Sequence, residues 1–179
     1  MRVVLCGLPK SGKSTIARAA SERLGWEWDD SDRLIEAVYR ARVGDALTCR
    51  EICKKEGEPF FRELESELLC SLSPGTTPHL LALGGGSLEM PKTVQNLHYD
   101  RMIYLHLPFK EAWKRLSSGE LPAFLSKDSL EASFYRLAEK RHARFLTVAH
   151  QILETDGLSI PEVTGCVVRD VQQYIRKTF

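Results

Sequence analysis

Residues Arg2 to Ala17 read RVVLCGLPKSGKSTIA, and the fold turns on this stretch. An apolar run, Val3-Val4-Leu5-Cys6, leads into Gly7, then Gly12-Lys13-Ser14, then a helical pattern running to about Leu24. Gly7-x-x-x-x-Gly12-Lys13-Ser14 is the phosphate-binding P-loop pattern. In such a loop backbone N–H groups cradle phosphate oxygens, the lysine reaches the β- and γ-phosphates, and the hydroxyl ligates Mg²⁺. The start of the following helix adds partial positive charge. A chance glycine-rich turn is the alternative, but a strand before and a helix after set this stretch apart from one. The loop residues Gly7, Leu8, Pro9, Lys10, Ser11, Gly12, Lys13, Ser14 and Thr15 are therefore expected to bind ATP, with Mg²⁺ at Ser14.

Beyond the loop, short apolar runs alternate with helical patterns. Trp26–Asp30, His79 onward, Arg101–Leu107 and His150–Thr155 read as strands. Helical periodicity is expected from Ser31, over Leu47–Glu56 and Glu58–Leu72, and over Phe109–Ser117, Leu130–Thr147 and Pro161–Lys177. This alternation predicts an α/β fold with a five-stranded parallel sheet flanked by helices in three layers. In such folds ligands sit beyond the carboxyl ends of the strands. The P-loop, Asp29-Asp30-Ser31-Asp32 and Gly84-Gly85-Gly86 all fall at such ends.

The 179 residues are expected to form one domain with a substantial core. Lys and Arg number 25 against 24 Asp and Glu, so no global field recruits nucleic acid or an anionic membrane. Any anion must be captured locally. Five cysteines without zinc spacing, no signal-peptide pattern and no apolar run of membrane-span length predict a cytoplasmic protein. No pattern points to an interface, so a monomer is expected. Trp26, Trp28 and Trp113 show no interleaving with basic residues and are assigned to packing.

Phosphoryl transfer needs a carboxylate near Mg²⁺ and another to orient or deprotonate the attacking hydroxyl. Asp30 fits the metal, through water, and Asp32 the acceptor. Helix capping is the alternative role for this Asp-Ser-Asp stretch; beside a P-loop the chemical role is the better fit. Arg62 and Arg141 offer guanidinium groups for an anionic acceptor, since Arg holds carboxylate in a fixed bidentate geometry. Glu58 and Glu65 offer Arg62 ordinary ion-pair partners as well.

Taken together, the P-loop at 7–15, Asp29–Asp32, Gly57-Glu58 followed by Phe61-Arg62, Leu83–Gly86 and Lys140-Arg141 resemble the shikimate kinase family over essentially the whole chain. The resemblance implies a kinase that uses ATP to phosphorylate a ring hydroxyl of shikimate, a step toward chorismate. It implies that Lys13 and Ser14 bind phosphate and Mg²⁺, that Asp30 supports the metal, and that Asp32 binds a shikimate hydroxyl and acts as base. Arg62 and Arg141 would clamp the acceptor carboxylate, and Gly84, Gly85 and Gly86 would line its pocket. Arg115 and Ser159-Ile160-Pro161 would flank the adenine. Residues from about 31 to 61 would form the acceptor-binding region and about 117 to 127 a mobile lid.

The departures from the family pattern are as informative as the matches. The family lid carries an Arg that approaches the transferring phosphoryl; here Leu121 stands in that place. Phe145 stands where Tyr is frequent, and Lys10 replaces a loop glycine. A cationic finger is worth about 10³–10⁵ in rate in P-loop enzymes. Lys10 is the first candidate to supply part of that charge, with Arg144, Lys127 and Arg115 as others.

Competing readings are a gluconate kinase-like enzyme or a nucleotide-binding regulatory domain that no longer turns over. The stretch Asp29–Ala37 lacks the His-Pro usual in gluconate kinases. Nucleoside monophosphate kinases place arginines in their lids, and residues 117–128 contain none. Asp30, Asp32, Arg62 and Arg141 argue against a mere switch, which needs no carboxylate clamp.

Overall fold

The computed structural model describes residues 1–73, 77–119 and 129–178. Five parallel strands form one sheet: β1 (Arg2–Cys6), β2 (Glu27–Asp30), β3 (His79–Ala82), β4 (Arg101–His106) and β5 (Gln151–Glu154). Their spatial order is β2-β3-β1-β4-β5. The central strand is therefore flanked on one side by β3 and on the other by β4, and the chain switches direction across it. Such a switch point opens a crevice at the carboxyl end of the sheet, where ligands bind in open α/β folds.

Eight helices accompany the strands among the described residues: α1 (Lys13–Leu24), α2 (Ser31–Val43), α3 (Cys49–Glu56), α4 (Glu58–Ser71), α5 (Pro91–Asn96), α6 (Phe109–Ser117), α7 (Leu130–Val148) and α8 (Ile160–Thr178). The expected elements are all present, and their ends shift only slightly. The short α5 was not expected: six residues give helical periodicity too little room to show itself.

Each strand side feeds a different core, as a period of two requires. Val3 and Leu5 of β1 face α1 and α8, joining Ile16, Ala20, Val163 and Val167. Val4 and Cys6 face the other way, toward Leu69 of α4, Leu116 of α6 and Phe134 and Phe145 of α7. The sheet is thus covered on both faces, which explains why β1 is buried along its whole length. A third, separate core of Ile35, Tyr39, Ile52, Phe61 and Leu64 joins α2, α3 and α4 beside the sheet. Trp26 and Trp28 pack against the α1–α8 side and Trp113 against the other, in line with their assignment to packing. Phe145 is 2% exposed and lies 5.0 Å from the Tyr104 ring, a setting that has no need of a tyrosine hydroxyl.

Local signals set the helix boundaries that matter for the crevice. Gly12 caps α1 at φ 91°, in the left-handed region where a Cβ is disfavoured. Asp30 caps α2, its Oδ1 accepting from the Asp32 N–H at 2.9 Å. Thr48 and Glu51 form a capping box at α3, and Pro59 sits in the first turn of α4. No described helix is long and apolar enough to cross a membrane.

Candidate active site

A cleft of about 700 Å³ opens at the carboxyl ends of β1, β2 and β3. It brings together Pro9, Lys10 and residues 12–15 of the loop, Asp30 and Asp32, Arg62 and Arg141, and glycines 84–86. Gly7, Leu8 and Ser11 lie behind its surface, and Arg115 stands at its edge. Most of the expected lid, including Leu121 and Lys127, lies outside the described residues.

The loop turns over its own lysine. Lys13 is 8% exposed and its Nζ donates to the Leu8 carbonyl at 2.8 Å. Burial pulls its pKa down to about 8, with Asp32 opposing that shift. The Ser11 hydroxyl is buried and has no hydrogen-bond partner among the described residues. Gly7 passes so close to β4 that a Cβ there would lie 2.6 Å from the Leu105 carbonyl oxygen.

Lys10 is the only described non-glycine residue with positive φ, at 63°. That region disfavours an L-residue by about 1–2 kcal/mol. Its carbonyl accepts from Arg115 Nη1 at 3.4 Å, which brings the end of α6 over the loop. Ser159, expected on the adenine side, donates its N–H and hydroxyl to Glu162 at 2.8 and 2.6 Å, which ties it to the first turn of α8.

The capping role foreseen for Asp30 is present, and its second oxygen is turned to the P-loop. While Oδ1 caps α2, Oδ2 accepts the Ser14 hydroxyl. Asp32 opens onto the water of the cleft, yet the enclosing walls push its carboxyl up to about 6, helped by Asp30 and Glu65 and opposed by Lys13. Among the described residues no three His, Cys, Asp or Glu side chains converge as a metal cluster. One hydroxyl beside one carboxylate is nonetheless a donor set that suits Mg²⁺, which keeps several waters and takes phosphate oxygens.

On the acceptor side two guanidinium groups meet at one glycine. A Cβ on Gly86 would lie 2.6 Å from Arg62 Nη2 and 2.8 Å from Arg141 Nη2. On Gly84 it would lie 2.5 Å from Asp32 Oδ1, and on Gly85 2.7 Å from Pro9. Each glycine of the triplet thus makes room for a different wall of the cleft. The Ser31 hydroxyl accepts the Gly84 N–H at 2.7 Å, tying this turn to the start of α2.

Three carboxylates balance the guanidinium pair. Arg62 lies 2.7 Å from Glu65 and 3.6 Å from Glu58, so the ion pairing open to it in the sequence is real. Arg141, 3% exposed, places Nε and Nη2 at 2.9 and 2.5 Å from one oxygen of Glu89. The other Glu89 oxygen faces Lys140 at 3.6 Å. Burial lowers the Arg141 pKa despite Glu89. For Arg62 burial also works against the charge, but Glu65, Glu89 and Glu58 outweigh it and raise its pKa. Ser87 donates to Glu65 at 2.7 Å and holds that carboxylate in place. Sequence reasoning missed Ser87 and Glu89. Nothing in their spacing marks them, because the turn after β3 carries them to Glu65 and the arginines. Arg144 lines a smaller cavity of about 240 Å³ with Glu89 and Phe145, away from the P-loop.

A parallel sheet with a P-loop at its switch point, facing an arginine pair across one cleft, defines a P-loop phosphotransferase of small molecules. The family model for shikimate kinase matches residues 9–175. The chain is 33% identical to the shikimate kinase of Microcystis aeruginosa over 87% of its length and 78% of that protein. It is 35% identical to that of Thermosynechococcus vestitus, over 85% of this chain and 78% of the relative. The shikimate kinase of Acinetobacter baumannii, solved in complex with shikimate, aligns with a TM-score of 0.81 at 26% identity, covering 96% of this chain and 93% of that one. This chain belongs to the shikimate kinase family, which implies the use of ATP.

Proposed function

We propose that this protein transfers the γ-phosphoryl group of ATP to a ring hydroxyl of shikimate, with Mg²⁺. The observation that carries the reading is the meeting of Arg62 and Arg141 at Gly86, across the cleft from the P-loop. Two guanidinium groups at one point suit a carboxylate-bearing acceptor. The family and the shikimate-bound relative support the same acceptor.

In this reading the loop N–H groups, Lys13 and the Ser11 hydroxyl hold the phosphates of ATP. Ser14 and Asp30 hold Mg²⁺, which neutralises phosphate charge when bound. Arg62 and Arg141 anchor the acceptor carboxylate, and that anchoring turns the reacting hydroxyl toward Asp32. A carboxyl with a pKa of about 6 is mostly ionised at neutral pH and still basic enough to accept the hydroxyl proton. The acceptor oxygen bonds to the γ-phosphorus, the bond to the bridging oxygen breaks, and ADP departs with its electron pair. Asp32 passes the proton on to water. Residues 31–61, organised around the separate core of α2–α4, form the acceptor-binding region, and Arg115 and the start of α8 flank the base.

ADP release from Mg-ATP, measured with and without shikimate, tests this. Strong stimulation by shikimate, and none by gluconate or nucleoside monophosphates, is the expected result. ATP binding without stimulation by any acceptor would overturn it in favour of a nucleotide-binding regulatory domain.

A further inference from the structure

A lysine occupies the tip of the P-loop in a backbone conformation that glycine adopts freely. Lysine has no short polar side chain with which to stabilise that conformation locally, as Asn or Asp would. Outliers of this kind persist where the surroundings over-determine them, and they gather at functional sites. The surroundings here are visible. Arg115 Nη1 holds the Lys10 carbonyl at 3.4 Å, and the Ser11 N–H closes the preceding turn on the Leu8 carbonyl at 3.2 Å.

The side chain stands at the cleft rather than in the packed interior. Lys10 lines the same cleft as Lys13, Ser14 and Asp32. Its ammonium makes no hydrogen bond or ion pair with the described residues, whereas Lys13 is turned back onto the loop. Lys55 and Lys92 pair with Asp45 and Glu63 at 2.7 and 3.1 Å, whereas Lys54, Lys110 and Lys177 pair with no described residue either, so what sets Lys10 apart is its place in the cleft and its backbone. The loop thus carries two ammonium groups, one tucked inside it and one at its tip.

We propose that Lys10 is a catalytic residue, a cation supplied by the P-loop itself to the β- and γ-phosphates of ATP. The inference rests on the reading of the site as an ATP-dependent phosphotransferase. As the bond from the γ-phosphorus to the bridging oxygen breaks, its electron pair stays on ADP, and Lys10 donates a hydrogen bond toward that growing charge. No proton leaves Lys10, and the proton released in the step is the acceptor's, which goes to Asp32. Stabilisation of charge where it develops, by a group already in position, is a large source of phosphoryl-transfer rate.

Three variants of the full chain separate the charge from the backbone: Lys10→Gly removes both cation and strain, Lys10→Met keeps a long side chain without charge, and Lys10→Arg keeps the charge. Melting temperature, ATP and ADP affinity by calorimetry, and shikimate-dependent turnover are read on each. Lys10→Gly is expected to melt at or above the wild-type temperature. In both uncharged variants ATP should bind about fivefold more weakly while ADP changes less than twofold, and turnover should fall about 10–100-fold. Lys10→Arg should restore both most of the way. An unchanged ATP-to-ADP affinity ratio with turnover within twofold of wild type, in both uncharged variants, overturns the proposal. If the wild type itself shows no turnover with shikimate, the acceptor reading fails instead, and the ATP-to-ADP ratio alone still decides the role of Lys10.

Discussion

At the P-loop end of the cleft the lining residues come from one contiguous stretch, Pro9, Lys10 and residues 12–15. At the acceptor end they are side chains from α2, α4, the turn after β3 and α7. The electrostatics differ as well. At the P-loop end Lys13 donates to the Leu8 carbonyl, and the Ser11 hydroxyl has no partner among the described residues. The acceptor end is already neutralised, since Glu58, Glu65 and Glu89 surround the two arginines. A contiguous backbone device tolerates change around it. A device of distant side chains depends on every partner, and its selectivity is set by how tightly its own carboxylates compete with the ligand.

The largest effect that would sharpen this contrast is at Asp32, where the two ends meet. Asp32→Asn should lower kcat about 10²–10⁴-fold, the range for loss of a positioned base. It should also raise the melting temperature. Folding lifts the Asp32 pKa to about 6, so the folded state holds that proton more tightly than the unfolded chain, and the ionised carboxylate weakens the fold above pH 6. Allowing for solvent screening in the open cleft, the gain at pH 8 is about 1 kcal/mol, roughly 2–4 °C. A variant that is inactive and less stable would break the assignment.

Next in size is Arg141→Lys. A point charge replaces a planar fork in a buried place, so the KM for shikimate should rise about 10–100-fold, as for a lost charged hydrogen bond, with kcat far less affected. An equal loss in kcat would mean that Arg141 acts on the transferring group instead. The pH profile of kcat/KM tests both ends at once. It should rise through about pH 6 as Asp32 ionises and fall through about pH 8 as Lys13 loses its charge. Loss of the acid limb in Asp32→Asn, with the basic limb retained, would assign the limbs.

The smallest effect is at Glu89. Glu89→Gln keeps an oxygen for Arg141 but removes the competing charge, and so should lower the KM for shikimate about two- to fivefold, the scale of a partly exposed ion pair. A higher KM would make Glu89 a group that orients Arg141 rather than a competitor.

The same contrast explains what could be read in advance. The β1–loop–α1 unit is local, so spacing alone disclosed it, along with the sheet that such a unit implies. Asp30 and Asp32 were legible because a strand end and a helix start coincide there. Arg62 and Arg141 lie on helices far apart in the chain; the need of an anionic acceptor for a guanidinium pair suggested them, and the family pattern gave their positions. Glu89 and Ser87 stayed hidden because their importance comes from a turn that crosses to α4 and α7, and no periodicity encodes that crossing. The short α5 escaped for the opposite reason, being local but too brief to show a period.

Asp30 holds the start of α2 with one oxygen and the Ser14 hydroxyl with the other. Few side chains can serve both. Asparagine caps helices as well as aspartate does but is neutral, while glutamate keeps the charge but is not among the preferred caps. Position 30 is therefore a single word with two meanings, and drift in either is spelled in the other. A change at this one position would loosen the joint between β2 and α2 and release the Ser14 hydroxyl together.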